Sequence, residues 1–438
     1  MLCIDDRYWL SSVYEIAITI PCWSPMSRYL HHMSLRCCLV ACLTTCFTLC
    51  DAAEVYAHNF TTSTLYSELE KMQSTALLVS DERGETLIAH KADISYVPAS
   101  LVKVFTALVA LDAWGPQYRF KTQIDYDATS RCMRIRGSGD PLLISEEIDR
   151  LVTQIQAKNI AVLNGIDTDS SFFSAHIDAN GRGESWNPYD APYAALAANF
   201  NSIALEVRAG EIISAEAHTP MTALAREIGS QLEAGEHRVS LRNSAQSAVY
   251  FKQILSAKLA SKGIQVGHSR CDEPTIHYSD WITYENSHTL QDVVVAMLKY
   301  SNNFIAQQLF LMLGAHSYQA PASVEKSKRV FDEYIRKYFG WRSYNLIEGA
   351  GLSRHNQLSA RQIIDILNRF YPYKQLLVAQ DQVILAKTGT MRGVRNYAGY
   401  VQRENSWLSF ALIINQEVSY QYREHFTRNL QRHLNSPK

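Results

Sequence analysis

Two apolar runs, residues 76–79 and 86–89, flank the charged turn Asp81-Glu82-Arg83-Gly84 and predict a β-hairpin. Leu101, Val104, Phe105 and Leu108 then follow the i, i+3, i+4, i+7 spacing of a helix with one buried face, and Gly115-Pro116 ends it. From residue 118 the pattern changes. Phe120, Thr122, Ile124 and Tyr126 alternate as a strand, and residues 132–136 form a second one. Ser145 is expected to cap a helix carrying Ile148, Leu151, Val152 and Ile155. Short strands and a helix around residues 247–262 complete a mixed stretch, read as an inserted α+β domain over residues 118–275. Helical periodicity returns over 289–312. Residues 383–386, 396–401 and 407–414 read as strands, and Phe426, Leu430 and Leu434 place a helix at the end. Strands near both termini predict one sheet assembled from residues 58–117 and 276–438, in a multidomain α/β chain. There is no internal repeat and no low-complexity tract.

Residues 1–57 read as an N-terminal extension with an export signal. Arg28 and Arg36 precede the uncharged apolar run 39–49, and Ala52, Ala53 and Ala57 offer cleavage sites. That run is shorter than the ~20 residues a transmembrane helix needs, so no membrane anchor is expected. Asp5, Asp6 and Glu15 are acidic where a signal is basic, which places the expected start at Met26 or Met33. Leu43-Thr44-Thr45-Cys46 is a poor lipobox, since threonine precedes the cysteine. Export to the periplasm is the expectation.

Length and composition narrow the class. With 438 residues, 47% of them apolar, the chain can bury a large core, and a net charge of -1 excludes the basic footprint of a nucleic-acid binder. Seven of the nine cysteines lie in the first 50 residues, leaving Cys132 and Cys271 as either one disulfide or two buried thiols. No zinc-spaced cysteine pair occurs in the body, and no metal is expected.

Three short motifs carry chemistry. Ser100-Leu101-Val102-Lys103 puts a hydroxyl and an amine on one helical face. A serine needs a base within hydrogen-bond reach, and a lysine serves only where burial keeps part of it neutral. Ser323-Val324-Glu325-Lys326 has the same spacing but the look of a surface helix. Ser301-Asn302-Asn303 interrupts two apolar helices. Ser301 there is suited to relaying a proton and Asn303 to holding Lys103 or a substrate amide, whereas Ser185-Trp186-Asn187 and Ser343-Tyr344-Asn345 lack that setting. Lys387-Thr388-Gly389-Thr390 follows an apolar strand. Such a strand edge pairs with an extended peptide, Lys387 and Thr388 suit a terminal carboxylate, Gly389 allows close approach, and the Thr390 N–H suits an oxyanion hole with that of Ser100.

With these motifs in this order, the chain resembles the D-Ala-D-Ala carboxypeptidase/endopeptidase family of low-molecular-mass penicillin-binding proteins, type-4 branch. The likeness extends to Val97-Pro98-Ala99-Ser100, Gly137-Ser138-Gly139-Asp140-Pro141, Asn187-Pro188-Tyr189, Asn199-Phe200-Asn201, Gly349-Ala350-Gly351-Leu352-Ser353-Arg354 and Ala398-Gly399-Tyr400-Val401. It implies a penicillin-recognising transpeptidase/β-lactamase-like fold, an antiparallel sheet flanked by helices and interrupted by an insert. It also implies a cofactor-free acyl-enzyme mechanism on peptidoglycan stem peptides, inhibition by β-lactams, and a stem-peptide contact at Arg354. Gln307 and Ala350 depart from the family's usual Glu and Ser. The alternatives are a serine β-lactamase, disfavoured by the large insert and the absence of Tyr-x-Asn, and a non-catalytic β-lactam- or wall-binding protein.

Overall fold

Alternating and continuous apolar runs become strands where they meet a partner. The computed structural model describes residues 59–177 and 180–436, so the expected export signal and start site lie outside the described residues. A short helix α1 (Thr64–Glu70) precedes the hairpin β1 (Thr75–Ser80) and β2 (Thr86–His90). A 3-10 turn at Ala99–Leu101 leads into α2 (Val102–Trp114), which Gly115 ends with a positive φ of 77°. The middle stretch supplies β3 (Arg119–Asp127), β4 (Cys132–Arg136), α3 (Ser145–Gln156), β5 (Gly165–Asp169), β6 (Ser202–Arg208), β7 (Glu211–Ser214), α4 (Ala223–Gly229), β8 (Gly235–Ser240) and α5 (Ser244–Ser261). The chain then forms β9 (Ser279–Thr289), α6 (Leu290–Lys299), α7 (Asn303–Tyr318), α8 (Val324–Tyr338) and α9 (Ala360–Phe370). The last elements are β10 (Val378–Asp381), β11 (Ile384–Met391), β12 (Val394–Arg403), β13 (Ser406–Ile414) and α10 (Tyr422–Leu434).

The main sheet runs β10-β11-β12-β13-β1-β2, with every neighbour antiparallel. Its two segments come from opposite ends of the described chain and join where Thr75 pairs with Ile414. Side chains of β1 alternate between two cores. Ala76 and Leu78 meet α2 and the helices α6 to α9, while Leu77 and Val79 meet α1 and α10. That two-sided burial explains why β1 reads as an unbroken apolar run. A second sheet, β9-β3-β4-β5, and a third, β8-β6-β7, share a separate core with α3 and α5.

The start of α3 differs from the sequence expectation. Ser145 is the first helical residue, and Ile144 stands at the cap without a side-chain bond. Asn199 reaches across instead: its Oδ1 accepts from Ser145 N at 2.8 Å, and its Nδ2 donates to Ser145 Oγ at 2.9 Å. A distant side chain thus satisfies an orphan helix donor.

Cys132 and Cys271 form a disulfide that ties β4 to the segment after α5 across 139 residues. Cross-linking so long a loop restricts the unfolded chain strongly. Replacing both cysteines by serine should lower stability by about 2–5 kcal/mol. Thermal unfolding with and without reductant checks this, and wild type in reductant should approach the double variant.

Candidate active site

Ser100 sits on the 3-10 turn that feeds α2, and the chain reaches it through a left-handed residue, Ala99, with φ at 49°. Asn396 and Asn415 hold that approach to the sheet. Asn396 Nδ2 donates to Val97 O at 2.8 Å, and Val97 N donates to Asn415 Oδ1 at 2.9 Å. The turn 349–353 supports it from another side. A Cβ on Gly351, whose φ is 77°, would stand 2.0 Å from Ala99 O. Gly351→Ala should therefore displace the turn that carries Ser100 and slow the acylation that the family resemblance implies there at least about tenfold. Acylation kinetics beside a thermal melt would check it, and unchanged acylation would show that the turn tolerates the added methyl.

One helical turn further, Lys103 is fully buried. Its Nζ donates to Ser100 Oγ at 3.0 Å, to Asn303 Oδ1 at 2.7 Å and to the Ala350 carbonyl. Burial pulls its pKa down to about 7, opposed by the nearby Glu348 carboxylate. Near neutral pH a large share of Lys103 is therefore the free amine.

Ser301 and Asn303 come from the break between α6 and α7. Ser301 takes a left-handed φ of 51°, and Asn302 caps α7 by accepting from Ile305 N at 3.0 Å. Thus Asn302 serves the helix while its two neighbours face the cluster. On the sheet side, Lys387 Nζ donates to Ser301 Oγ at 2.8 Å and to Thr388 O at 2.9 Å. Burial, the charge of Lys103 and that of Arg423 push the Lys387 ammonium well below its usual pKa. Gly389 lies against the turn that carries Ser100, since a Cβ there would stand 2.7 Å from Pro98 O. Thr388 is half-buried and Thr390 exposed on the same strand.

The structure thus brings together Ser100, Lys103, Ser301, Asn303 and the strand Lys387-Thr388-Gly389-Thr390. Arg354 stands apart: it is exposed, and its guanidinium donates to the Arg392 carbonyl in the turn after β11. The decoy motifs serve their own surroundings. Ser323 caps α8, Ser185 bonds Asp190, and the Ser343 carbonyl accepts from Gln362. Asp140 holds its own turn, accepting from Leu142 N at 2.9 Å and Asn286 Nδ2 at 2.8 Å.

Two charged side chains near the cluster were not singled out from the sequence. Arg423, only 3% exposed, donates to Thr390 Oγ1 at 2.7 Å and through Nε to Glu424 at 2.8 Å. Glu348 is buried beneath the Gly-Ala-Gly turn. No local pattern marks Arg423. The Gly349-Ala350-Gly351 stretch beside Glu348 was the available signal, since a tight turn buried against a nucleophile needs something to satisfy its N–H groups.

A Ser-x-x-Lys helix, a Ser-x-Asn break and a Lys-Thr-Gly strand, in this α/β fold, define the class of serine hydrolases that includes β-lactamases and penicillin-binding proteins. A family model matches residues 58–236 and 228–377, and the chain belongs to the D-Ala-D-Ala carboxypeptidase 3 (S13) family, the penicillin-binding serine peptidases of that name. It is 24% identical over 430 residues to a D-alanyl-D-alanine carboxypeptidase of Actinomadura sp. (strain R39), covering 79% of this chain and 78% of that one. The fold matches penicillin binding protein 4 (dacB) of Haemophilus influenzae with a TM-score of 0.68 at 19% identity, covering 86% of this chain and 100% of that one. The same Haemophilus protein complexed with a novel β-lactam matches with a TM-score of 0.64, at the same identity and coverage. Among the described residues no helix is long and apolar enough to cross a membrane.

Proposed function

We propose that the protein cleaves D-Ala-D-Ala termini, or the equivalent D-amino-acid crosslinks, of peptidoglycan stem peptides in the periplasm, through an acyl-enzyme on Ser100. The observation that carries this reading is the fully buried Lys103 amine, 3.0 Å from Ser100 Oγ. A neutral Lys103 takes the Ser100 proton as Oγ attacks the carbonyl carbon between the two D-residues. The N–H groups of Ser100 and Thr390 stabilise the oxyanion. The C–N bond then breaks, and the departing amine takes a proton from the Ser301 hydroxyl, which recovers the proton that Lys103 took from Ser100 and so returns Lys103 to the free amine. Water next attacks the ester, again with Lys103 as base, and frees Ser100. Asn303 keeps the amine aimed, while Lys387, Thr388 and the Gly389 edge hold the terminal carboxylate and the extended peptide. Arg354 contacts the stem peptide from the rim.

A β-lactam acylates Ser100 in the same way, but its leaving amine stays tethered, so release is slow. The test is a pair of assays on the purified protein. D-Ala should be released from a pentapeptide ending in D-Ala-D-Ala, while a β-lactam is held as a long-lived covalent adduct. β-Lactam turnover of roughly 1–10³ s⁻¹ would reassign the chain as a β-lactamase. No D-Ala release together with no adduct would leave a binding protein.

A further inference from the structure

We propose that Glu348 is a positioning residue for the general base: its carboxylate folds the 349–353 turn into a cradle for Lys103 and presents the buried negative charge that faces the Lys103 amine. The proposal rests on the reading of Lys103 as the base. Glu348 Oε2 accepts from Ala350 N at 2.7 Å, and Oε1 accepts from Leu352 N at 2.8 Å, Ser353 N at 3.3 Å and Asn356 Nδ2 at 2.5 Å. Asn356 Oδ1 accepts from Ile347 N at 2.9 Å, which turns the amide so that its NH₂ faces Glu348. Every partner of the carboxylate is a donor. A proton on it would have no acceptor, so these contacts favour the ionised form even though burial pushes its pKa up.

The folded turn then reaches Lys103 twice. The Ala350 carbonyl accepts from Nζ, and Gly351 packs against the nucleophile turn. Neighbouring helices clamp the same turn: Gly349 N donates to Gln307 Oε1 at 2.9 Å, and Thr106 Oγ1 donates to Gly349 O at 2.6 Å. The charged groups around Lys103 are Glu348 from this turn and Lys387 from β11, with Arg423 of α10 behind Lys387. Tyr193, buried and neutral, faces Glu348. Burial and the Glu348 carboxylate therefore act on the amine in opposite senses. The carboxylate favours the ammonium, and so sets how far the pH must rise before Lys103 is free to act.

The sign follows. Acylation needs the free amine, so the wild-type rate should rise with pH through an apparent pKa near the value of about 7 that burial gives Lys103. Glu348→Gln removes the charge that favours the ammonium, so the acid limb should move to lower pH, by about one unit. The Gln amide also sets N–H against N–H in the turn, so the plateau rate should fall about tenfold. Glu348→Asp keeps the charge but shortens the reach, so its limb should stay in place while its plateau falls about fivefold or more.

The experiment is the pH profile of the second-order rate of acylation by fluorescent penicillin, for wild type and both variants, with a thermal melt of each. A Gln variant that labels but has its acid limb on top of the wild-type limb overturns the proposal. If the Gln variant does not fold, the Asp variant decides: a full wild-type plateau, or a limb that moves by a unit, overturns it. A wild-type rate with no acid limb, or a Lys103→Met variant that still acylates normally, removes the underlying reading of Lys103 instead. The two failures are thereby told apart.

Discussion

Replacing Ser100 by alanine should give a folded protein that no longer captures fluorescent penicillin and releases D-Ala roughly 10⁴–10⁶-fold more slowly. Ser100 is half-buried, and its hydroxyl accepts a hydrogen bond from Lys103. Lys103 keeps its other two acceptors, Asn303 and the Ala350 carbonyl, so no buried donor is stranded. The melting temperature should therefore stay close to that of wild type. Gel fluorescence after penicillin treatment, followed by mass spectrometry of the intact protein, reads the result. A labelled band of full intensity in Ser100→Ala would place the nucleophile elsewhere and end the catalytic reading of this site.

Lys103→Met should be nearly as severe, slowing acylation about 10²–10⁴-fold while Ser100 remains in place. Methionine matches the buried stem of the lysine, so the core of α2 stays filled. What is lost is the base, along with the donor to Asn303 Oδ1 and the Ala350 carbonyl. Two stranded acceptors cost on the order of 1–3 kcal/mol each, offset in part because the buried amine no longer has to be desolvated. A further effect falls on the sheet side. Lys387 would lose the cation that, after burial, helps hold its pKa down. Carboxylate binding should therefore survive, with the loss in kcat rather than KM. The double variant Ser100→Ala/Lys103→Met should be no slower than the worse single change, because the two groups act as one unit. Steady-state kinetics on the pentapeptide checks each of these expectations.

Much of this architecture was legible because its periodicities are strong. The hairpin at β1 and β2, the face of α2 and the terminal helix α10 follow from where Leu78, Phe105 and Phe426 fall in their runs. The three motifs were legible because their spacing and their flanking apolar elements agree. Other features depend on contacts between residues remote in sequence. The cap of α3 comes from Asn199, and no local pattern carries that information. Arg423 sits among polar residues of an amphipathic helix, and its buried guanidinium meets Thr390, 33 residues earlier in the chain. The Ala350 carbonyl is backbone and leaves no residue-type signature. The choice between a bond and two thiols at Cys132 and Cys271 likewise needed the second sheet to bring them together.

The seam between Thr75 and Ile414 has a consequence for how such a chain comes into being. As the polypeptide is made, the early helix with its serine and lysine emerges long before the strand bearing Lys387, and β1 has only β2 beside it until residues 406–414 arrive. Pairings so distant form slowly, and until then an apolar strand edge lies open to other chains. On the function proposed above, a nascent or prematurely stopped polypeptide that lacks the Lys387 strand is inert toward the wall, and hydrolytic competence comes late in synthesis.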